Sequence, residues 1–197
     1  MNLPIDLDAM LVRCAPTVHV TTMRRLVEIE SSFNPYAIGV VGARLQRQPR
    51  SYQEALATIT WLDANDFNYS VGLAQINRHN FRTHGLTPTL ALQACPNLAA
   101  GAAILGNCFR RASLHNAPQS ALRAAFSCYE SGNFTTGFRD GYVQKIIAPP
   151  YPTVATTPHQ AQRFIGTRAA TREPGSDAIE PLSTAPHFPT SSSRPLR

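Results

Sequence analysis

The sequence lacks long hydrophobic runs, since no apolar stretch in its 197 residues approaches the roughly 20 residues that a membrane-spanning helix requires. The apolar run nearest the start, residues 9–12, is also too short for the core of a secretory signal. We therefore expect no transmembrane segment and no signal peptide in this chain. A hydrophobic content of 43% with 15% charged residues still supports one substantial core, which argues against a wholly disordered chain.

Closely spaced cysteine pairs are also absent. The four cysteines, Cys14, Cys95, Cys108 and Cys128, form no C-x-x-C motif, so a zinc knuckle or a thioredoxin-like redox site is not supported. Two disulfides and four buried thiols both remain open. We expect a bridge between Cys14 and Cys95. We expect buried thiols at Cys108 and Cys128, because both fall inside helical patterns beside apolar neighbours.

Motifs for several other chemistries are missing. No serine lies in a G-x-S-x-G elbow, and the phosphate-loop spacing at Gly101 to Gly106 continues with Asn107 rather than with lysine. The six histidines form no ligand pair on a helix face. We therefore predict no metal and no cofactor.

Lysine is nearly absent, because Lys145 is the only lysine among 18 cationic side chains. The formal net charge of +6 is not concentrated in one basic segment. Such a mild excess indicates a general attraction to acidic partners, whether nucleic acid or an anionic polymer, and predicts no specific nucleic-acid site.

The composition changes near Ala148. Nine of the 16 prolines and twelve serine or threonine residues follow from Pro149 onward. Such a segment cannot bury enough apolar surface to offset the entropy of ordering it. We assign residues 1–150 to a folded domain and residues 151–197 to a flexible, disordered tail.

Helical periodicity dominates before that boundary. A capping box at Ser51 opens one helix, and Gly132 ends another that begins at Ser120. Glycine-broken, β-branched residues between Ile38 and Leu45 predict a short hairpin and no larger sheet. The fold class is therefore mainly α with a minor β part (α+β). The apolar stripes at helical spacing are Leu7, Met10, Leu11 and Cys14; Ala55, Leu56, Ile59 and Leu62, with Trp61 expected in the core beside them; Leu98, Ala102, Leu105, Cys108 and Phe109; and Leu122, Ala125, Phe126 and Tyr129.

One carboxylate falls on the apolar face of its predicted helix. Met23, Leu26 and Val27 define that face, and at about 100° per residue Glu30 lies within about 20° of its centre. Glu28 points away from it. Burial raises the pKa of a carboxyl, and a proton held near neutral pH is what a general acid needs. The structural alternative is that an arginine or backbone donors near the helix end cap Glu30.

Four short blocks follow one another in order along the chain. They are Glu30-Ser31-Ser32-Phe33-Asn34-Pro35, Gly72-Leu73-Ala74-Gln75-Ile76-Asn77, Asn97-Leu98 with Gly101-Ala102, and Tyr129-Glu130-Ser131-Gly132-Asn133. Each block alone is weak. The ordered set, over about residues 10–147, resembles the soluble-lytic-transglycosylase domain of the lysozyme-like superfamily, in particular the peptidoglycan-cleaving component of type IV secretion and conjugal transfer systems.

The resemblance implies a small lysozyme-like helical domain that cleaves the β-1,4 bond between N-acetylmuramic acid and N-acetylglucosamine and leaves a 1,6-anhydro ring. It implies that Glu30 is the catalytic acid and then the base, that Ser31 lies beside it, and that Gln75 and Tyr129 line the cleft. From its place in the block we add Asn77 as a hydrogen-bonding cleft residue. Peptidoglycan strands are the expected substrate, type IV secretion components are candidate partners, and the periplasm or cell envelope is the expected location.

One inward carboxylate is enough for this reaction, although ordinary glycoside hydrolysis needs two. The sugar's own C6 hydroxyl is tethered, which corresponds to an effective concentration of roughly 10⁵ M when it is well oriented. Two departures from the family pattern, Glu130 for asparagine and Ala74 for methionine, keep alternatives open. These are a two-carboxylate muramidase that uses Glu130, and a non-catalytic module that binds glycan or serves as an adaptor in a secretion apparatus. Among the aromatic candidates for sugar stacking we select Tyr129 over Tyr69, Phe134 and Tyr142.

Overall fold

The computed structural model describes residues 6–148 of the chain. Its helices are Leu7–Cys14 (α1), Val20–Ser31 (α2), Tyr52–Ala64 (α3), Pro88–Ala91 (α4), Ala94–Ser113 (α5), Pro118–Ser131 (α6), Thr136–Arg139 (α7) and Tyr142–Ile147 (α8). The strands are Ile38–Val40 (β1), Tyr69–Val71 (β2) and Ile76–Asn77 (β3). The mainly helical fold class is confirmed. The tail expected at residues 151–197 lies outside the described residues. Between residues 6 and 148 no helix is both long and apolar enough to cross a membrane.

The helix α5 lies at the centre of the helical core and packs against α1, α4 and α6. The apolar stripes predicted from the sequence supply most of that core, although Leu56, Phe109, Leu122 and Tyr129 are only partly buried. The expectation for Trp61 is wrong: it is 57% exposed and stacks on Phe67. On a helix its position lies about 120° from the centre of the stripe that Ala55, Ile59 and Leu62 form, so it points away from the core.

The small sheet has the order β1-β2-β3 with antiparallel pairing throughout. The hairpin expected between Ile38 and Leu45 is wrong, because β1 pairs with β2, where Ile38 faces Val71, and the hairpin joins β2 to β3. A side chain takes the place of a returning strand beside β1. Gln48 accepts a hydrogen bond from the Ile38 amide (2.7 Å) and donates one to the Ile38 carbonyl (2.9 Å), which satisfies that edge.

Two disulfides connect the helices. The expected bridge between Cys14 and Cys95 ties the end of α1 to the first turn of α5, with Cα atoms 4.9 Å apart. The expectation of buried thiols at Cys108 and Cys128 is wrong, since these residues form a second disulfide with Cα atoms 5.8 Å apart. The reason is the packing of α5 against α6, which brings two helical cysteines face to face.

Candidate active site

A cleft of about 600 Å³ is lined by β1, by the β2–β3 hairpin, by α5 and by the last turn of α6, with Glu30 from α2. The structure brings five of the residues singled out from the sequence into this one cleft. They are Glu30, Gln75, Asn77, Tyr129 and Glu130.

Glu30 is one residue from the end of α2, on the same side of that helix as the buried Met23, Leu26 and Val27. It keeps part of its surface at the cleft, but the atoms around the carboxyl exclude enough water to raise its pKa from 4.5 to about 7. Desolvation is the main cause, because burial penalises the charged form. Glu30 is therefore a carboxyl that retains its proton close to neutral pH.

Tyr142, the first residue of α8, donates a hydrogen bond to Oε1 of Glu30. This bond favours the ionised carboxylate and so opposes the rise in the pKa of Glu30. In return, burial and the neighbouring carboxylate raise the pKa of the Tyr142 phenol well above its ordinary value, so the hydroxyl remains a donor. Sequence reasoning missed this contact, because helical periodicity does not relate two residues that lie 112 positions apart.

The helix that carries Glu30 is fastened to the helix that carries Tyr142. Arg25 of α2 donates hydrogen bonds to the carbonyls of Lys145 (2.5 Å) and Ile146 (3.1 Å) in α8, and it forms an ion pair with Glu28. These bonds to the C-terminal carbonyls of α8 help to hold the phenol against the carboxyl.

Glu130 is exposed and lines the same cleft. Partial burial and the charge of Asp140 raise the pKa of its carboxyl, while Lys145 opposes that rise. The charge of Glu130 in turn contributes to the raised pKa of Glu30. The two carboxyls are thus electrostatically coupled, with Glu30 the more desolvated of the pair.

The loop between β2 and β3 carries Gln75 into the cleft, and Asn97 of α5 holds that loop. The buried Asn97 accepts a hydrogen bond from the Ala74 amide (2.8 Å) and donates to the carbonyls of Val71 (2.9 Å) and Ala91 (2.8 Å). Its side-chain amide is therefore fully engaged within the protein. Asn97 acts as an anchor for the loop rather than as a cleft residue.

Two glycines allow the close packing around this loop. Gly72 has φ +80°, and a Cβ there would lie 2.4 Å from the Asn97 amide nitrogen. A Cβ on Gly101 would lie 2.7 Å from the Cβ of Ala74 and 3.2 Å from the Tyr129 hydroxyl. Three of the four sequence blocks therefore meet at the β2–β3 loop.

Side-chain hydrogen bonds of Gln75 and Tyr129 both help to fix the β2–β3 loop. The Gln75 amide donates to the carbonyls of Ala37 and Gly72, each at 3.0 Å, from a backbone with φ +46°. The Tyr129 hydroxyl donates to the Ala74 carbonyl (2.6 Å), and burial raises its pKa well above 10. Tyr129 lines the cleft, while its hydroxyl is hydrogen-bonded within the protein.

The other two predicted residues differ from each other in position. Asn77 lines the cleft, and its Oδ1 also caps the short turn that follows by accepting from the His79 amide (3.1 Å). Ser31 is buried and donates to the Val27 carbonyl (3.0 Å) within α2, so the structure does not bring its hydroxyl to the cleft. Tyr69 is fully buried and donates to Asp63, which makes it a core residue.

Comparisons with known proteins find a matching family model and several similar proteins. The family model "Transglycosylase SLT domain" matches residues 12–145. The type IV secretion system protein virB1 of Brucella suis is 51% identical over 143 residues, which cover 69% of this chain and 60% of the relative. Protein virB1 of Agrobacterium fabrum is 39% identical over 137 residues, which cover 68% of this chain and 54% of the relative. The chain thus spans less than two thirds of the length of these relatives. No solved structure matches this chain.

Proposed function

We propose, since the chain belongs to the transglycosylase SLT family, that it is a peptidoglycan lytic transglycosylase. Its substrate is the β-1,4 bond between N-acetylmuramic acid and N-acetylglucosamine, and its product carries a 1,6-anhydromuramic end. The single observation that carries the proposal is a carboxyl in a cleft, Glu30, whose pKa is raised to about 7. A general acid is most effective when its pKa lies near the working pH.

The chemistry needs only this one carboxyl. Oε1 of Glu30 accepts the hydrogen bond from Tyr142, which leaves Oε2 to carry the proton. Oε2 gives that proton to the glycosidic oxygen as the bond to the muramic C1 breaks. The resulting carboxylate takes the proton of the C6 hydroxyl while the C6 oxygen closes onto C1. The carboxyl is restored, one glycosidic bond is replaced by another within the same sugar, and no water is consumed.

Other cleft residues have binding roles in this proposal. Asn77 and Gln75 present amide groups of the kind that pair with acetamido groups, although Gln75 also holds the loop by its own hydrogen bonds. The face of Tyr129 offers a surface for a sugar ring. The serine beside the acid, Ser31, is assigned by the resemblance alone and acts through the end of α2, since its hydroxyl bonds within that helix.

A hydrolytic alternative exists because Glu130 lines the same cleft and interacts with Glu30. In that case Glu130 activates a water molecule, and the products carry free reducing ends. Product analysis of digested peptidoglycan separates the two reactions. Anhydro ends that persist in Glu130→Gln support the single-carboxyl reaction, and reducing ends that vanish in Glu130→Gln overturn it.

The names of the relatives support a proposal for the biological setting. We propose that the enzyme opens the wall locally for a type IV secretion or conjugation apparatus, and the name of the Brucella relatives, type IV secretion system protein virB1, supports the secretion role. Its substrate places it in the periplasm or cell envelope. We further propose that residues 1–150 are the catalytic domain, so that deletion of residues 151–197 leaves wall cleavage intact.

The decisive experiment compares the wild type with Glu30→Gln in a turbidity assay on purified peptidoglycan. Wild-type clearing that is lost in Glu30→Gln, with matched circular dichroism, supports the proposal. Glu54→Gln is the matched control, because it makes the same carboxyl-to-amide change at the start of α3 and outside the cleft lining. Clearing by neither instead favours a non-catalytic glycan-binding or adaptor module, and equal clearing by the wild type and Glu30→Gln overturns the role of Glu30 as the catalytic acid.

A further inference from the structure

Arg111, two residues before the end of α5, is the only arginine or lysine among the described residues that line the cleft. Its guanidinium carbon lies 5.1 Å from the ring centroid of Phe134. Its Nη1 lies 3.8 Å from Sγ of Cys128, in the disulfide that joins α5 to α6. The ring face and the sulfur hold the cation in place without a carboxylate partner.

Most of the hydrogen-bonding capacity of Arg111 is left over. A guanidinium has five N–H donors, and within residues 6–148 the sulfur of Cys128 is the acceptor that Arg111 contacts. No ion pair of the described residues includes Arg111, although Glu30 and Glu130 line the same cleft. The side chain is also exposed. A guanidinium placed over the Phe134 ring with most of its donors free suits a planar carboxylate from a ligand.

We propose that Arg111 binds a carboxylate of the peptide stem of peptidoglycan and so makes the enzyme prefer stem-bearing strands. This inference rests on the proposed function, because it names the feature of the substrate that the cleft recognises. The acetamido groups of the glycan are neutral, and in a stem-bearing strand the lactyl carboxyl of muramic acid is consumed in the amide bond to the stem. The negative charges offered to the cleft therefore belong to the stem.

The test measures initial rates of soluble strand cleavage at low substrate concentration for the wild type, Arg111→Gln and Arg111→Lys. On stem-bearing strands, Arg111→Gln is expected to lower kcat/KM roughly fivefold, the loss of one partly exposed charge-assisted contact. Arg111→Lys keeps the charge without the planar fork, so its kcat/KM is expected to lie between those of the wild type and Arg111→Gln. Arg123→Gln, an exposed α6 arginine outside the cleft lining, removes the same charge and is expected to match the wild type.

Two modified substrates give a readout that a merely structural role would not move. On strands whose stem carboxyls are converted to amides, the wild type and Arg111→Gln are expected to cleave at equal rates. On amidase-treated strands, which keep a free lactyl carboxylate and lack the stem, the same equality is expected. A fivefold gap retained on the amidated strands overturns the carboxylate contact, and a gap retained on the amidase-treated strands assigns the contact to the lactyl group and overturns the stem.

The outcomes separate this inference from the proposed function. If the wild type cleaves and Arg111→Gln is slowed equally on every substrate, only the role of Arg111 is overturned. If the wild type cleaves none of them, the proposed function itself is overturned. Thermal unfolding of Arg111→Gln checks that lost contact with Phe134 has not unfolded the protein.

Discussion

Replacing Glu30 by glutamine is expected to make the protein more stable at alkaline pH. The carboxyl ionises at about 4.5 in the unfolded chain and at about 7 in the folded one. Since the folded state holds the proton more tightly, the wild type loses stability as the pH rises from below 4.5 through 7. A difference of that size corresponds to about 3 kcal/mol at 1.36 kcal/mol for each tenfold change in proton affinity.

Glutamine mimics the protonated carboxyl and keeps an oxygen for the hydrogen bond from Tyr142. The free energies of unfolding of the wild type and Glu30→Gln are therefore expected to be close at pH 4. They are expected to diverge with pH until the variant is more stable by about 3 kcal/mol near pH 8. Urea unfolding followed by circular dichroism at a series of pH values, with the disulfides intact, measures the difference.

Glu54→Gln gives a control of opposite sign. Hydrogen bonds from Arg47 and the Arg50 amide lower the pKa of Glu54, so its contribution to stability is present at neutral pH and is lost as the pH falls. That variant is expected to be destabilised at pH 8 and unaffected in strong acid. A stability difference for Glu30→Gln that stays constant with pH, or that favours the wild type at pH 8, refutes the desolvation argument for Glu30.

Three further predictions follow from contacts described above. Tyr142→Phe removes the hydrogen bond that lowers the pKa of Glu30, so the alkaline limb of the pH–rate profile is expected to move to higher pH; an unchanged or lower limb contradicts the contact. Asn97→Ala leaves three buried backbone groups without partners and is expected to lower the free energy of unfolding by about 3 kcal/mol, measured in urea, whereas a loss below about 1 kcal/mol contradicts its role as an anchor. Changing Cys108 and Cys128 together to serine removes a disulfide between residues 20 positions apart and is expected to lower the free energy of unfolding by about 3 kcal/mol. Added reductant is then expected to destabilise the wild type more than the variant.

The local patterns of the sequence predicted much of the helical part. The stripes of α1 and α5 come from 3.6-residue periodicity, and the placement of Glu30 on the apolar side of α2 follows from the same rule. Burial of that carboxyl was therefore foreseeable. Its proton affinity also depends on Tyr142 and Glu130, which periodicity cannot place.

The errors about the hairpin and the second disulfide share a physical cause, since both concern contacts between residues far apart in sequence, whereas the error for Trp61 is local to its helix. The partner of β1 comes from residues 69–71, and a glutamine side chain closes the other edge, so the local glycine pattern gave the wrong hairpin. Cys108 and Cys128 have the local pattern of core thiols, because helical periodicity describes each cysteine only within its own helix. The blocks containing Gly72, Asn97 and Gly101 were recognisable as a pattern, but their role in packing one loop became visible only in three dimensions.

The burial of Glu30 has a consequence, under the proposed function, for when the chain is able to cleave peptidoglycan. Glu30 is synthesised more than a hundred residues before α8, whose packing against α2 helps to bury the carboxyl. A nascent or unfolded chain exposes Glu30 to water, where it is an ordinary, already ionised glutamate with no proton to give. If the proposed function holds, cleavage of peptidoglycan therefore requires the folded protein, and an unfolded chain is inactive.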